Sequence, residues 1–183
     1  MTFDVDLTEK AQWAIAAAAM AALAGPGSAN AQAAADPSTA PRTALVQTIK
    51  RIPLPPSQNP SGADLPFSAA VWVGDTLYVS GWLDPDIAAH PDTQSQTVGI
   101  LKDLKAFLAS QNLTLGDVVM IREFIGPGKD GKFDRPGVRA GLVQFFGTKD
   151  QPNKPASTGI YASLPAGERG GLVEIDVIAA RSK

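Results

Sequence analysis

Residues 92–125 read DTQSQTVGILKDLKAFLASQNLTLGDVVMIREFI, which is a helix pattern followed directly by a strand pattern. Asp92 and Thr93 can cap a helix that runs to about Gln111. Its mostly apolar face repeats at three- and four-residue spacing and consists of Val98, Leu101, Leu104, Lys105 and Leu108. The run from Val118 to Ile125 predicts the next strand. This stretch therefore indicates an α/β fold.

Further strand, turn and helix signals lie on both sides of this unit. The six predicted strands are 43–52, 67–73, 76–82, 118–125, 158–162 and 172–180. A two-residue hairpin is expected at Gly74-Asp75, and a second helix is expected to start near Pro136 and stop at Gly147. The order β-β-β-α-β-α-β-β predicts a six-stranded sheet with two helices on one face. Because the helices cover only that face, we expect a second copy to cover the other in a symmetric homo-oligomer.

The composition excludes several classes of site and partner. The chain has 183 residues with no cysteine and one histidine, His90, which excludes disulfides, thiolate sites and histidine-rich zinc sites. Its 16 Lys+Arg and 18 Asp+Glu give a net charge of −2, without the basic excess that nucleic acid favours. No apolar run approaches the roughly 20 residues of a membrane span. We therefore expect a small-molecule ligand, no nucleic acid, no metal and no cofactor, with His90 at the surface.

The first 42 residues differ from the rest of the chain. Residues 14–24 form an apolar, alanine-rich block that precedes Ala29-Asn30-Ala31, a pattern typical of a secretory signal peptide cleaved at about residue 31. The acidic start is atypical of an export signal, so a surface helix of an intracellular protein and a start codon placed too far upstream stay open. We predict a signal peptide over 1–31, a flexible lead over 32–42 and a folded domain over 43–183. The mature protein is expected in the periplasm or secreted and free of the membrane, with a cytoplasmic location as the alternative.

Several strings together resemble the Rid (YjgF-type) family. They are PFSAA (66–70), VGDTLYVSGWLDPD (73–86), QTVGILKDLKAFLASQNLTLGDVV (96–119), FFG (145–147), PAST (155–158), LP (164–165) and GGLVEIDVIAA (170–180). The resemblance implies a chorismate-mutase-like fold and a homotrimer with small-molecule clefts between subunits. It also implies a deaminase-like hydrolysis of reactive enamines and imines, such as 2-aminoacrylate, to a keto acid and ammonia.

Three positions depart from the family pattern. Ser157 stands where the family has an arginine that holds the substrate carboxylate, and a serine offers one neutral hydrogen bond in place of a bidentate, charge-assisted pair. Phe67 replaces a tyrosine, and Trp82 replaces a polar residue. The resemblance therefore implies a small, non-carboxylate substrate rather than a standard 2-imino acid. Its implied substrate-binding residues are Ser157, Thr158, Phe67, Trp82 and Ser80.

Glu174, in LVEID, matches the family's acidic residue that helps to orient the hydrolytic water, so it is the candidate catalytic residue. On a strand it shares a face with Asp176, and partial burial beside this second carboxylate would raise its pKa. The alternative is a solvated surface carboxylate. Two functions stay open: a Rid-type hydrolase, or a protein that keeps the trimer and its clefts and binds a small molecule without catalysis.

A cation elsewhere in the chain could compensate for the missing arginine. Arg122 and Arg139 are the two candidates. Glu123 is expected to share a strand face with Val119 and Ile121, and a buried carboxylate of this kind needs a cation nearby. The simplest expectation for Glu123 is a salt bridge between subunits.

Overall fold

The computed structural model describes residues 47–164, 166–167 and 170–181. The six strands are β1 (Ile49–Ile52), β2 (Ala70–Val73), β3 (Thr76–Leu83), β4 (Val118–Ile125), β5 (Ala156–Tyr161) and β6 (Val173–Ala180). The helices are α1 (Thr93–Ser110) and α2 (Arg135–Leu142), and a short 3₁₀ turn precedes β4. The predicted element order and fold class are confirmed. The predicted signal peptide and flexible lead lie outside the described residues.

The six strands form one mixed sheet in the order β1-β2-β3-β6-β4-β5. All neighbouring strands are antiparallel except β4 and β5, which run parallel. Since a parallel pair needs a crossover, α2 connects these two strands across the helical face. The topology therefore puts β6, with Glu174, inside the sheet and β5, with Ser157, at its edge.

Alternation along the strands separates a core face from an open face. Apolar residues of β3, β4 and β6 point towards the helices and form the core with the buried side of α1. Both helices lie on this face. The opposite face, here called the open face, exposes Ile49 (56%), Tyr78 (48%) and Ile160 (37%). Exposed apolar side chains spread over one side of a sheet are typical of a surface that binds another protein surface.

A β-bulge in β4 changes which of its residues face the helices. The register with β6 shifts directly after Val118, which makes Val119 the extra residue. Val118 is buried in the core with Ile121, whereas Val119 is 49% exposed. The predicted face shared by Val119 and Glu123 is therefore wrong, because the bulge resets the alternation between them.

Local interactions set the ends of the two helices. Asp92 accepts a hydrogen bond from the Ser95 amide at 2.8 Å in a capping box, which confirms the predicted start of α1. The second helix ends at Leu142 and not at Gly147 as expected. The hydrogen bonding changes there from the α-helical to the 3₁₀ pattern, because the amides of Gln144 and Phe145 donate to carbonyls three residues back.

The two helices approach closely through a glycine. A methyl group at Gly141 would stand 2.6 Å from the side chain of Thr97 on α1, which is closer than packed carbon atoms allow. This close packing fixes the rotation of α2. Arg135 and Arg139, four residues apart and so on the same side of the helix, then face the edge strand β5.

Candidate functional site

Glu174 lies on the open face above a second β-bulge. The register between β3 and β6 shifts between Val79 and Trp82, so Ser80 and Gly81 form the bulge. A methyl group built on Gly81 would overlap the Glu174 carboxylate, which therefore lies directly over the glycine. We call Phe67, Ser80, Gly81 and Glu174 the bulge site.

Hydrogen bonds hold the chain around this bulge. The Ser80 hydroxyl donates to the Ser68 carbonyl at 2.7 Å, and the Ser80 amide donates to the Ala69 carbonyl at 2.9 Å. These bonds bring the segment next to Phe67, which is 56% exposed, alongside β3. Ser80 is thus used to shape the bulge, and the exposed Phe67 directly precedes the Ser68 carbonyl that accepts its hydrogen bond.

Two effects raise the pKa of Glu174 above its ordinary value. Burial, which penalises the charged form, is the larger, and the negative charge of Asp176 adds to it. No described side chain donates a hydrogen bond that would lower it. The two causes are those expected from the sequence. A carboxylate whose pKa is raised towards neutrality is suited to accept and return a proton.

Ser157 lies on the other side of the sheet, where it contacts Glu123. Its hydroxyl donates a hydrogen bond to Glu123 Oε1 at 2.9 Å. Glu123 is only 3% exposed, and burial raises its pKa against the opposing effects of the Ser157 hydrogen bond and the nearby Arg135. The expected cation is present as Arg135 of the same chain.

Gly159 lies between both charged groups at ordinary contact distance. A methyl group at this position would stand 3.4 Å from Glu123 Oε2 and 3.5 Å from the Arg135 guanidinium carbon. The carboxylate and the guanidinium thus approach one face of the glycine. Within the described residues neither group is in a salt bridge, although the charge of Arg135 lowers the pKa of Glu123.

These groups surround a cavity of about 550 Å³ between α2 and the strands β4 and β5. We call it the helix-side cavity. A volume of this order suits a small-molecule ligand. Its lining residues are Glu123, Ile125, Arg135, Pro136, Val138, Arg139, Leu142, Ser157 and Tyr161.

The structure separates the predicted binding residues into three places. Phe67 and Ser80 are in the bulge site, and Ser157 is in the helix-side cavity. Thr158 pairs with Arg122 in the β4–β5 register, so it points to the open face and away from Ser157. Within one copy of the chain, Glu174 and Ser157 lie on opposite faces of the sheet and do not meet.

Trp82 does not line a cleft as expected. The bulge turns it into the core, where it is 1% exposed and its ring lies 4.7 Å from that of Phe107 on α1. Its indole N–H donates to Asp103 Oδ2 at 2.6 Å. This hydrogen bond satisfies the buried indole, so Trp82 is a structural residue.

The two candidate cations, Arg122 and Arg139, lie in different parts of the structure. The guanidinium of Arg122 donates to Asp176 at 2.8 Å on the open face, so it is already paired and cannot reach Ser157. Arg139 lines the helix-side cavity. Within one copy, Arg139 therefore lies in the same cavity as Ser157, whereas Arg122 lies on the face that carries Glu174.

His90 binds a buried carboxylate instead of lying free at the surface. Its Nδ1 is 2.6 Å from Asp84 Oδ2, and the Asp84 side chain is fully buried. Over the described ranges, no group of three or more His, Cys, Asp or Glu side chains could hold a metal ion. None of the described helices is long and apolar enough to span a membrane.

The family model for endoribonuclease L-PSP matches residues 57–181, which include both bulges, both helices and all strands from β2 onward. The chain belongs to the endoribonuclease L-PSP family. The resemblance to the Rid (YjgF-type) proteins is thereby confirmed. Family membership supports a Rid-like protein that processes small molecules.

Individual members of the L-PSP family agree with this assignment. A RutC family protein from Saccharolobus solfataricus is 34% identical over 122 residues, which are 64% of this chain and 88% of the relative. The structure of the Rid family protein YyfA from Yersinia pestis is 28% identical with a TM-score of 0.57, covering 73% of this chain and 100% of that chain. TdcF from E. coli, solved with bound serine, is 26% identical with a TM-score of 0.54, covering 72% of this chain and 94% of TdcF.

Sequence reasoning missed four residues of these two sites. Gly81 provides space for the Glu174 carboxylate, Gly159 contacts Glu123 and Arg135, and a glycine in a strand gives no sign of what approaches it. Tyr161, whose ring stacks on Phe133 at 4.6 Å, belongs to the cavity wall. Arg135 could have been found, because its four-residue spacing from Arg139 in a predicted helix puts both on one side.

Proposed function

We propose that this L-PSP family protein is a Rid-like hydrolase that converts a small enamine- or imine-type substrate to a carbonyl compound and ammonia. The observation that carries the proposal is Glu174. Its carboxylate is partly buried over Gly81, accepts no hydrogen bond from a described side chain and has a raised pKa. Family membership adds support, since the resemblance implies that this position orients the hydrolytic water.

The proposed chemistry needs one base and one water. Water adds to the carbon of the protonated C=N bond while Glu174 accepts a water proton, which gives a carbinolamine. The carboxyl group then donates this proton to the nitrogen. The C–N bond breaks, and ammonia leaves as the hydroxyl proton passes to solvent and the carbonyl forms. An enamine follows the same series of steps after protonation on carbon, which converts it to the iminium ion.

We further propose that the site is completed by a second copy of the chain. Glu174 and Ser157 lie on opposite faces of one sheet, so they can act on one ligand only if they come from two copies. The exposed apolar side chains of the open face support association there. A homotrimer, as implied by the Rid resemblance, then contains three clefts.

Standard 2-imino acids are not the proposed substrates of the cleft. The hydroxyl of Ser157 is engaged by Glu123, and β5 offers no cation where the family arginine would be. A carboxylate next to the C=N carbon would therefore face another carboxylate. The alternative function, ligand binding without turnover, is favoured by Phe67, which lacks the family's phenolic hydroxyl.

The proposed location is the periplasm or the exterior of the cell, on the basis of the sequence pattern over 14–31. Expression of the full chain in a bacterial host with fractionation tests this proposal. A periplasmic product whose mass shows loss of residues 1–31 is the expected result. An intact chain in the cytoplasm would contradict it.

Release of ammonia by the purified protein tests the hydrolase proposal. Freshly generated imines of small neutral aldehydes and of pyruvate are the substrates, compared with the spontaneous rate. We expect catalysis on the neutral imines and a loss of about 10²- to 10⁴-fold in Glu174→Gln, because removing a general base costs this much. Asp130→Asn, at an exposed loop position, is the matched control and should stay active. Full turnover in Glu174→Gln would contradict the proposal, and binding without ammonia release would support the alternative.

A further inference from the structure

Among the described strands, none pairs with the second half of β3 on its outer side. The pairing of β2 with β3 ends at Ala70 and Val79, where the bulge begins. From Trp82 onward β3 pairs with β6, and Leu83 lies opposite Glu174. The outer edge of this segment presents backbone N–H and C=O groups that need other partners. These partners decide how firmly the chain is held next to the bulge site.

The side chain of Gln58 takes the place of a strand at this edge. Its amide nitrogen donates to the Leu83 carbonyl at 2.9 Å, and its Oε1 accepts from the Leu83 amide at 3.1 Å. An antiparallel neighbour would use the same two backbone groups. Gln58 is half-buried and belongs to the loop between β1 and β2, 25 residues before Leu83. It therefore ties this loop to the part of β3 that follows the bulge.

Helix α1 fixes Gln58 in its turn. The amide nitrogen of Gln58 also donates to Asp103 Oδ2 at 3.0 Å, and the same oxygen accepts the indole N–H of Trp82 at 2.6 Å. Hydrogen bonds to a carboxylate are stronger than those between neutral groups. Asp103 thus joins the side chain of Trp82 to the side chain that holds the backbone of Leu83. We call Gln58, Asp103 and Trp82 the clamp.

We propose that Gln58 and Asp103 are positioning residues for Glu174. The clamp holds β3 from the loop and from α1 directly after Gly81, the glycine over which the Glu174 carboxylate lies. Because this carboxylate occupies the space of a missing side chain, a small displacement of β3 changes how deeply it is buried. Burial is the larger of the two effects that raise the pKa of Glu174. The proposal rests on the proposed function in so far as Glu174 is the base, and it adds the residues that hold this base in place.

The titration of Glu174 in the full-length protein tests this proposal without any substrate. The chain has four glutamates, so labelling glutamate with ¹³C gives four side-chain carboxyl signals, and Glu123→Gln and Glu174→Gln assign two of them. Gln58→Met keeps the length of the side chain and removes its amide. We expect it to lower the titration midpoint of Glu174 by about half a pH unit or more, because a looser bulge admits water to the carboxylate.

Two controls separate this local effect from a general loss of structure. Glu123 lies on the other side of the same sheet and is observed in the same spectra, so its midpoint should stay in place. Gln144→Met makes the same substitution at an exposed glutamine after α2, whose amide bonds to the Ala140 carbonyl. It should leave both midpoints unchanged.

A pair of variants at Asp103 makes the test independent of Gln58→Met. Asp103→Asn retains an oxygen that can accept from Trp82 and Gln58, whereas Asp103→Leu removes it. Asp103→Leu should lower the Glu174 midpoint as Gln58→Met does, and Asp103→Asn should keep it near the value of the unmodified protein. An unchanged Glu174 midpoint in both Gln58→Met and Asp103→Leu, or equal shifts of Glu174 and Glu123, would overturn the proposal.

Imine turnover distinguishes the failure of this proposal from that of the proposed function. If both hold, Gln58→Met and Asp103→Leu should lower kcat about tenfold or more with little change in KM, because they displace the base without touching the substrate. A shifted Glu174 midpoint with no ammonia release by the unmodified protein would keep the positioning residues and remove the hydrolase. Turnover that Glu174→Gln abolishes and both clamp variants leave unchanged, with the midpoint also unchanged, would do the reverse.

Discussion

The bulge site and the helix-side cavity each contain a glutamate with a raised pKa next to a glycine, yet their surroundings differ. Glu174 lies over Gly81 on the open face, and the nearby charge of Asp176 adds to the effect of burial. Glu123 lies in a cavity of its own chain, where a serine hydroxyl and an arginine oppose the effect of burial. The neighbour of the first carboxylate thus adds to the effect of burial on its pKa, whereas the neighbours of the second oppose it. The same side chain acquires two different electrostatic environments.

Alanine substitution of the two glycines should show the largest difference between the two sites. Gly81→Ala would force the Glu174 carboxylate away, whereas Gly159→Ala adds a methyl group at ordinary contact distance from Glu123. We expect Gly81→Ala to lower turnover about 100-fold or more, and to cost about 1–3 kcal/mol as overpacking does. Gly159→Ala should change both by much less. Imine turnover with urea denaturation measures both effects, and similar losses in the two variants would contradict the assignment of Gly81.

The pH dependence of stability should show both glutamates. Each has a folded-state pKa above its unfolded value, so the native state binds more protons between these two values. The free energy of unfolding should therefore fall as pH rises from about 4.5 through the raised pKa of each group. Glu123→Gln and Glu174→Gln should each flatten this decline and be more stable than the unmodified protein at pH 7. Denaturation from pH 4 to 8 provides the measurement, and a decline that both variants keep unchanged would contradict the account.

A smaller effect should come from Asp176, the charged neighbour that Glu174 has and Glu123 lacks. Asp176→Asn removes the negative charge that raises the pKa of Glu174, so the acid limb of the pH–rate profile should move to lower pH. Because Asp176 also binds Arg122, the variant Arg122→Gln controls for loss of that ion pair. Arg122→Gln should shift the limb in the opposite direction or leave it in place. A shift to lower pH in both variants would point to loss of structure.

Much of the fold could be predicted from the sequence, because the helix cap, the hairpin and the periodicity of α1 are local signals. The face of Glu174 was also predictable, since it depends only on alternation within one strand. The positions of Trp82 and Val119 were not, because a bulge reverses alternation and leaves no mark in composition. To predict that Ser157 and Glu174 lie on opposite faces, one needs the register between the strands. This register is a property of the whole sheet and cannot be read from either segment alone.

Cross-linking provides the most direct test that one copy contributes the bulge site and another the helix-side cavity. The chain has no cysteine, so Phe67→Cys and Ser157→Cys introduce two exposed thiols in a clean background. A short bis-maleimide should join position 67 of one copy to position 157 of another and give covalent oligomers on a denaturing gel. Each single variant should run mostly as a single chain, without cross-links between copies. If the doubly substituted protein is oligomeric by light scattering but stays a single chain after reaction, the two sites do not share a cleft.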